Sequence, residues 1–557
     1  MRRRLLAASV ALVCLVLSGC ATIPGSGSVQ RGDPALVDSS VDLDFIVQGP
    51  ADGATQLEIL DGFIFAAQSP RNNYQVAREF LTPGFADEWQ ADARATIDVL
   101  ADRDEEVVDE ATIRVDATPA ASLGDNGQYE EPDSRTPIPL DYRFEQVDGE
   151  WRISSAPAGL LIDQVSFAQV FREYTLYFFD PTFRYLVPDV RWYAGRDSAQ
   201  TSIVRSLLAG PAEWLAPGVV SAFPEGMQLE PAAVPVVGGV AGVSLTGAAF
   251  DNLRAVQRMQ AQLDASLIGV RNIDDVDLTL NGADPDAPPL SDPPLKNPRV
   301  DPRAVVFDGE TFGYLAVSGE GIDPIPGLSP QVAALAPTGV ALGPGGSSAA
   351  VLNAQGVSIV RTGDEPVLLD PRADLVTPAV DGEGVVWSVP AGAPDQLVWF
   401  APDGTSDQVA VPWSGTSIAA IEVSRDSTRI VALLADGAGT HFVAASIERE
   451  GDGRPVALGT TPLRLDDVSG TPLDVAWLDA RTVASITGLP DGTTRIVTQE
   501  LGGFSSQRDG PDGGVLIDGG NSDLRALTAS GELGVPSGVG WQVRATGIRL
   551  IAPQQPG

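Results

Sequence analysis

The chain has 557 residues, 43% of them hydrophobic, which is enough for roughly three to four packed domains and excludes a largely disordered chain. Lys and Arg total 36 against 74 Asp and Glu, a net charge of −38, so nucleic acid and anionic lipid heads are repelled. With only Cys14, Cys20 and the single histidine His441, a disulfide scaffold, a Ser-His-Asp triad, a histidine-based zinc site and a His-ligated haem all lack their residues.

Three arginines at 2–4 precede an uncharged run at 5–17, and Leu17-Ser18-Gly19-Cys20 closes it. A basic start, a short apolar core and small residues at a cut site read as a secretory signal over residues 1–19. The run is too short for a membrane span, which needs about 20 apolar residues. Leu-Ser-Gly-Cys resembles the bacterial lipobox. That resemblance implies cleavage after Gly19 and a Cys20 carrying N-acyl and S-diacylglycerol (palmitate-type) groups. Several acyl chains hold a protein on a membrane where one does not. The expected location is the extracytoplasmic face of the cell membrane, lipid-anchored. Lys296 is the sole lysine and Ala and Arg are abundant, the bias of a high-GC genome.

Residues 20–50, rich in Gly, Ser, Asp and Pro, read as a flexible tether. Residues 51–165 form the first domain. Leu57, Leu60, Ile64 and Ala67 fall at helical spacing, and Pro70 stops that helix. Tyr74, Ala77, Phe80 and Leu81 predict a second helix ended by Thr82-Pro83-Gly84. Ala111, Ile113 and Val115 alternate, as do Leu140, Tyr142 and Phe144, and Asp148-Gly149 turns the chain back through Trp151 and Ile153. Helices followed by a curved antiparallel sheet resemble the NTF2-like α+β fold.

Residues 166–283 form the second domain. Leu176-Tyr177-Phe178, 183–187 and 190–193 predict strands. Ser198 is a candidate N-cap for a helix with Ile203, Val204, Leu207 and Leu208 on one face. Val234 to Val237 and Val240 to Leu245 pair across Gly238-Gly239, which lies between strands and is no phosphate loop. Leu253, Val256, Met259, Leu263 and Leu267 mark a second helix, closed by Gly269, before the strand at 276–280. Leu207-Leu208-Ala209-Gly210-Pro211, Phe223-Pro224-Glu225-Gly226, Val243-Ser244-Leu245 and Leu280-Asn281-Gly282 make the segment resemble the α/β GerMN domain. The family implies an extracytoplasmic interaction module without catalysis.

Residues 284–302 are a Pro-rich linker, extended and stiff, or else a strap over a neighbouring domain. Residues 303–551 are all-β. Asp-Gly turns recur at Asp308, Asp381, Asp403, Asp436, Asp452 and Asp491. Similar units open at Ala333-Ala334-Leu335, Leu375-Val376-Thr377, Ser417-Ile418-Ala419, Leu473-Asp474-Val475 and Asp523-Leu524-Arg525. Their spacing of roughly 43 to 55 residues predicts a β-propeller of five or six blades, with 305–315 closing the ring; a pair of β-sandwiches is the alternative. His441 sits in an alternating strand pattern, and the Asp-Gly carboxylates read as turn residues, with too few per loop for calcium.

Together these segments resemble the LpqB-type lipoproteins of actinobacteria. What that family implies is a non-enzymatic accessory of an MtrA–MtrB-type two-component system. Its partners would be the plasma membrane, through the anchor, and a sensor histidine kinase ectodomain, in cell-wall homeostasis and division. No catalytic, cofactor or metal residues are assigned, and the only site residue is Cys20. The second function class is a cell-wall or glycan-binding module stacking sugars on Trp399, Trp413 or Trp541. A third, a propeller enzyme, has only His441 for a nucleophile–base pair, while the many Asp and Glu leave a carboxylate-only hydrolase open.

Overall fold

Thr55 and Glu58 start the first domain. The Thr55 hydroxyl accepts from Glu58 N at 3.3 Å, and Glu58 Oε2 accepts from Thr55 N at 2.7 Å, a reciprocal cap on helix α1 (Gln56–Ala66). The computed structural model describes residues 47–557 except 133–134, 196–197, 249–251, 452 and 467, and these lie in one compact unit. The signal, Cys20 and most of the tether lie outside the described residues.

Leu60, Phe63 and Ile64 of α1 are buried, joined by Ile59, while Leu57 faces out. The second predicted helix is interrupted. Asn72, Asn73 and Tyr74 take positive φ, so only one turn, Gln75–Arg78, follows. Thr82-Pro83-Gly84 starts a helix (Pro83–Glu88) where it was expected to end one. Thr82 Oγ1 accepts from Phe85 N at 3.4 Å, and Pro83 occupies a first-turn position whose N–H has no partner anyway.

The expected single antiparallel sheet is two four-stranded sheets. One runs Asp104–Asp109, Thr112–Ala117, Ile138–Val147, Glu150–Ser155, turning at Asp148-Gly149, both at positive φ. The other runs Tyr129–Glu130, Pro119–Gly124, Arg94–Asp98, Leu160–Asp163, and its last pair is parallel. That parallel pairing joins segments over sixty residues apart, which local alternation cannot reveal.

The short helix α2 (Gln164–Val170) leads into a long hairpin, Phe171–Phe179 with Tyr185–Ala194. The second arm is one strand through Pro188, where two were expected. Pro188 pairs opposite Tyr177, and among the described residues the strand on its far side reaches just Tyr185 and Leu186. Helices α3 (Ala199–Ala209) and α4 (Leu253–Leu267) pack on this hairpin and on a second sheet. In that sheet Val240–Thr246 pairs parallel with Asp275–Leu280 and turns back at Gly238-Gly239, φ 61° and 87°. Ser198 stands at the start of α3 without a side-chain cap bond.

The Pro-rich segment is a strap. Leu295–Lys296 pairs parallel with Tyr185 and Leu186, Lys296 Nζ donates to Ala265 O at 3.2 Å, and the ammonium lies 4.2 Å from the Tyr177 ring centre.

Six sheets then form a propeller. Its inner strands are Gly339–Leu342, Ala379–Val380, Ser417–Val423, Thr471–Trp477, Gly514–Gly520 and Leu550–Ala552, each touching the next around the ring. Leu550–Ala552 pairs antiparallel with Val305–Phe307, so the last strand completes the first blade and closes the ring. Four of the five expected repeat starts fall at or just before an inner strand. The fifth, Asp523-Leu524-Arg525, lies on the second strand of its blade (Asp523–Thr528), after the inner strand Gly514–Gly520.

Candidate functional site

The residues singled out in the sequence do not converge. Trp399 and Trp413 are buried, and Trp413 Nε1 donates to Pro394 O at 3.2 Å, so neither presents a face for stacking on a sugar. Trp541 is half-buried, donates to Asp509 O at 3.0 Å and has the Arg508 guanidinium 5.3 Å from its ring centre. His441 stands on the strand Thr440–Arg449 with Nε2 3.0 Å from Asp436 Oδ2. The Asp-Gly carboxylates close their own turns: Asp436 Oδ1 accepts from Ala438 and Gly439 N, and Asp491 Oδ1 from Thr493 N. Among the described residues no three His, Cys, Asp or Glu side chains are grouped to hold a metal, and no helix is long and apolar enough to cross a membrane.

What the fold does bring together is a joint between the propeller and the two domains before it. The propeller side consists of turns at the ends of inner and third strands and of one outer blade edge. Trp192 Nε1 donates to Gly502 O at 2.9 Å, and the Phe504 ring sits 4.8 Å from Trp192 and 5.5 Å from Tyr129. Arg184 pairs with Glu383 at 2.9 Å and Thr461 donates to Glu213 at 3.2 Å. Gly218 lies against the propeller so closely that a Cβ there would stand 2.8 Å from Thr428 O. Arg481 Nη1 reaches Glu173 Oε1 at 2.7 Å, Thr175 Oγ1 at 2.8 Å and Glu500 Oε1 at 3.0 Å. Burial pushes the Glu500 carboxyl up to about 8; Arg481 opposes that rise and Glu173 adds to it. Aromatic anchoring and partly buried ion pairs of this kind fix domains relative to each other.

A second cluster lies within the propeller. Three consecutive inner strands place Glu422, Asp474 and Asp518 near one another, with Arg425 and Arg525 among them. Glu422 Oε2 accepts from Trp477 N at 2.8 Å and Asp474 Oδ2 from Ile517 N at 2.9 Å. Arg525 donates to Asp518 at 2.9 Å and Arg425 to Gly519 O at 3.0 Å. Burial raises Glu422 well above the usual carboxylate range, with the Asp518 charge adding to it, and pushes Asp474 up to about 7. These bonds tie neighbouring blades together, which is the chemistry the cluster performs. The sequence held a signal for it: one acid inside an otherwise apolar inner strand, repeated in three blades, as in Ala420-Ile421-Glu422-Val423.

The opposite rim of the propeller carries turns at 436–439, 491–493 and 530–532, whose exposed carboxylates include Asp491 and Glu532. Asp436 and Asp491 close their own turns there, and Glu532 N donates to Thr528 Oγ1 at 3.1 Å.

Comparison with known proteins matches all three domains. Residues 49–168 match a family model described as the N-terminal domain of lipoprotein LpqB. Residues 175–286 match sporulation and spore germination, and 313–546 match the lipoprotein LpqB beta-propeller domain. Lipoprotein LpqB of Rhodococcus opacus is 34% identical over 278 residues, 47% of this chain and 44% of that one. Lipoprotein LpqB of Thermobifida fusca is 31% identical over 304 residues, 52% of this chain and 48% of that one. The matched region thus spans about half the length of these curated relatives. Among solved structures, a nidogen/laminin complex chain overlaps 42% of this chain and 86% of its own at 11% identity and a TM-score of 0.30. A streptogramin B lyase overlaps 44% and 85% at 14% identity and a TM-score of 0.26. Overlap that shallow carries nothing about activity.

Proposed function

We propose, from the premise that this chain belongs to the LpqB-type lipoproteins, that it is a non-catalytic protein anchored through Cys20 on the extracytoplasmic face of the cell membrane. There it binds the ectodomain of a sensor histidine kinase of the MtrA–MtrB type and shifts its signalling equilibrium in cell-wall homeostasis and division. Such a shift needs different affinities for two kinase states. The observation that supports this reading most is the joint built on Trp192, Phe504 and Arg481. It uses one rim of the propeller to hold the chain's own domains and leaves the turns of the other rim to a partner. A propeller held in this way serves as a platform at the end of a tether.

The test is photo-crosslinking in cells, because Lys296 as sole lysine makes amine reagents blind to most of the surface. A kinase ectodomain should dominate the crosslinks, and the triple variant Asp436→Lys, Asp491→Lys, Glu532→Lys should lose them. Crosslinks confined to cell-wall polymer or envelope synthesis proteins would overturn the reading. For the anchor, Cys20→Ala should abolish incorporation of a fatty-acid analogue; labelling that persists would refute it.

A further inference from the structure

Where the first domain meets the second, the structure holds a cavity of about 290 Å³. Part of its lining is aromatic: the buried Phe171 and Trp192 and the half-buried Tyr193 come from the long hairpin. Their polar atoms are already engaged. Trp192 Nε1 is bonded to Gly502 O, and Tyr193 donates to Ser206 Oγ at 2.7 Å. What these rings offer the cavity is therefore apolar surface.

Two arginines from different domains also line the cavity, Arg94 and Arg205. Among the described residues the Arg94 guanidinium has no hydrogen-bond or ion-pair partner, and Arg205 makes a single bond, to Ala232 O at 2.6 Å. Arg103, Arg191, Arg372, Arg429, Arg449 and Arg525, by contrast, each hold an aspartate. Asp125 is the second carboxylate in the lining, beside Asp92, which accepts from Tyr74 Oη at 3.2 Å.

We infer that this cavity is a binding site for a small sugar acid, a single hydroxyl-rich ring bearing a carboxylate. The half-buried Tyr193 ring takes the C–H face of the sugar. The Arg94 guanidinium and the remaining donors of Arg205 match the planar carboxylate, and Asp125 accepts from a ring hydroxyl. The volume lies at the small end of ligand pockets, which run from roughly 300 to 1,000 Å³, and selects one ring over an oligomer. Because its walls come from two domains, an occupied site also bridges them. This inference is independent of the kinase reading.

The test is calorimetric titration of the full chain, purified in detergent, with glucuronate, glucose and inorganic phosphate as probes. Glucuronate should bind one to one in about the sub-millimolar range, with glucose at least about tenfold weaker. Arg94→Gln and Arg205→Gln should each weaken glucuronate about fivefold or more with an unchanged melting temperature; both side chains are exposed, so the fold should tolerate them. No saturable heat at about 10 mM glucuronate would overturn the inference. So would binding that neither variant alters, or inorganic phosphate binding as tightly as glucuronate, which would make the Tyr193 ring irrelevant.

Discussion

Glu173 and Glu500 belong to different domains, yet both lie on one nitrogen, Arg481 Nη1, at 2.7 and 3.0 Å. Burial raises Glu500 from an ordinary 4.5 to about 8; the Arg481 charge opposes that rise and the neighbouring Glu173 adds to it. The folded state therefore binds a proton that the unfolded chain has released. The stability from this group is complete below about 4.5 and is lost as pH rises through about 8. Glu500→Gln should leave the melting temperature nearly unchanged at pH 5 and stabilise by about 2 kcal/mol at pH 9. Scanning calorimetry across that range decides it, and equal effects at both pH values would refute the raised Glu500 carboxyl.

Asp474 carries the same sign inside the propeller. Burial raises it from 3.8 to about 7, so its contribution falls away as pH climbs from about 4 to above 7. Asp474→Asn retains an oxygen to accept from Ile517 N and removes the charge. It should stabilise by about 1–2 kcal/mol at pH 8 and change little at pH 4. Denaturant titration at the two pH values measures this directly.

Phe504 is 37% exposed, although it contacts Trp192, Tyr129 and Phe167 across the joint. Phe504→Ala should cost about 2 kcal/mol, less than a fully buried ring, because part of its surface is already wet. If the joint is what holds the domains together, the loss should appear as a split of one thermal transition into two. A single transition shifted by a few degrees would assign Phe504 to packing alone.

The parts of the fold written in local chemistry were legible. The hairpins at Asp148-Gly149 and Gly238-Gly239, the α4 stripe of Val256, Met259, Leu263 and Leu267, and the propeller period all follow from spacing and turn residues. Thr82-Pro83-Gly84 was read backwards because the same three residues suit either end of a helix; only the Thr82 cap bond decides. The parallel pairing of Arg94–Asp98 with Leu160–Asp163 and the docking of Phe504 on Trp192 depend on contacts between distant segments. Trp399 and Trp413 were offered as sugar platforms, but tryptophan in a propeller blade is more profitably buried. The shared-nitrogen pair and the cavity were invisible, since Glu173, Arg481 and Arg94 look like any surface charge until the domains meet.

The pairing of Val306 with Ile551 fixes an order of events. A ribosome delivers the first two domains, and five of the six inner strands, before the strand that completes blade one. Until residue 552 is free, the inner edge of Val305–Phe307 stays unpaired and the ring stays open, a sticky β edge waiting on the last part of the chain. Folding of the propeller is therefore necessarily late, and its rate is set by a search over some two hundred and forty residues of separation, the regime of slow, high-contact-order closure. The two leading domains are complete by then, and the surface of Trp192 and Glu173 is ready as a template on which the half-built ring can settle.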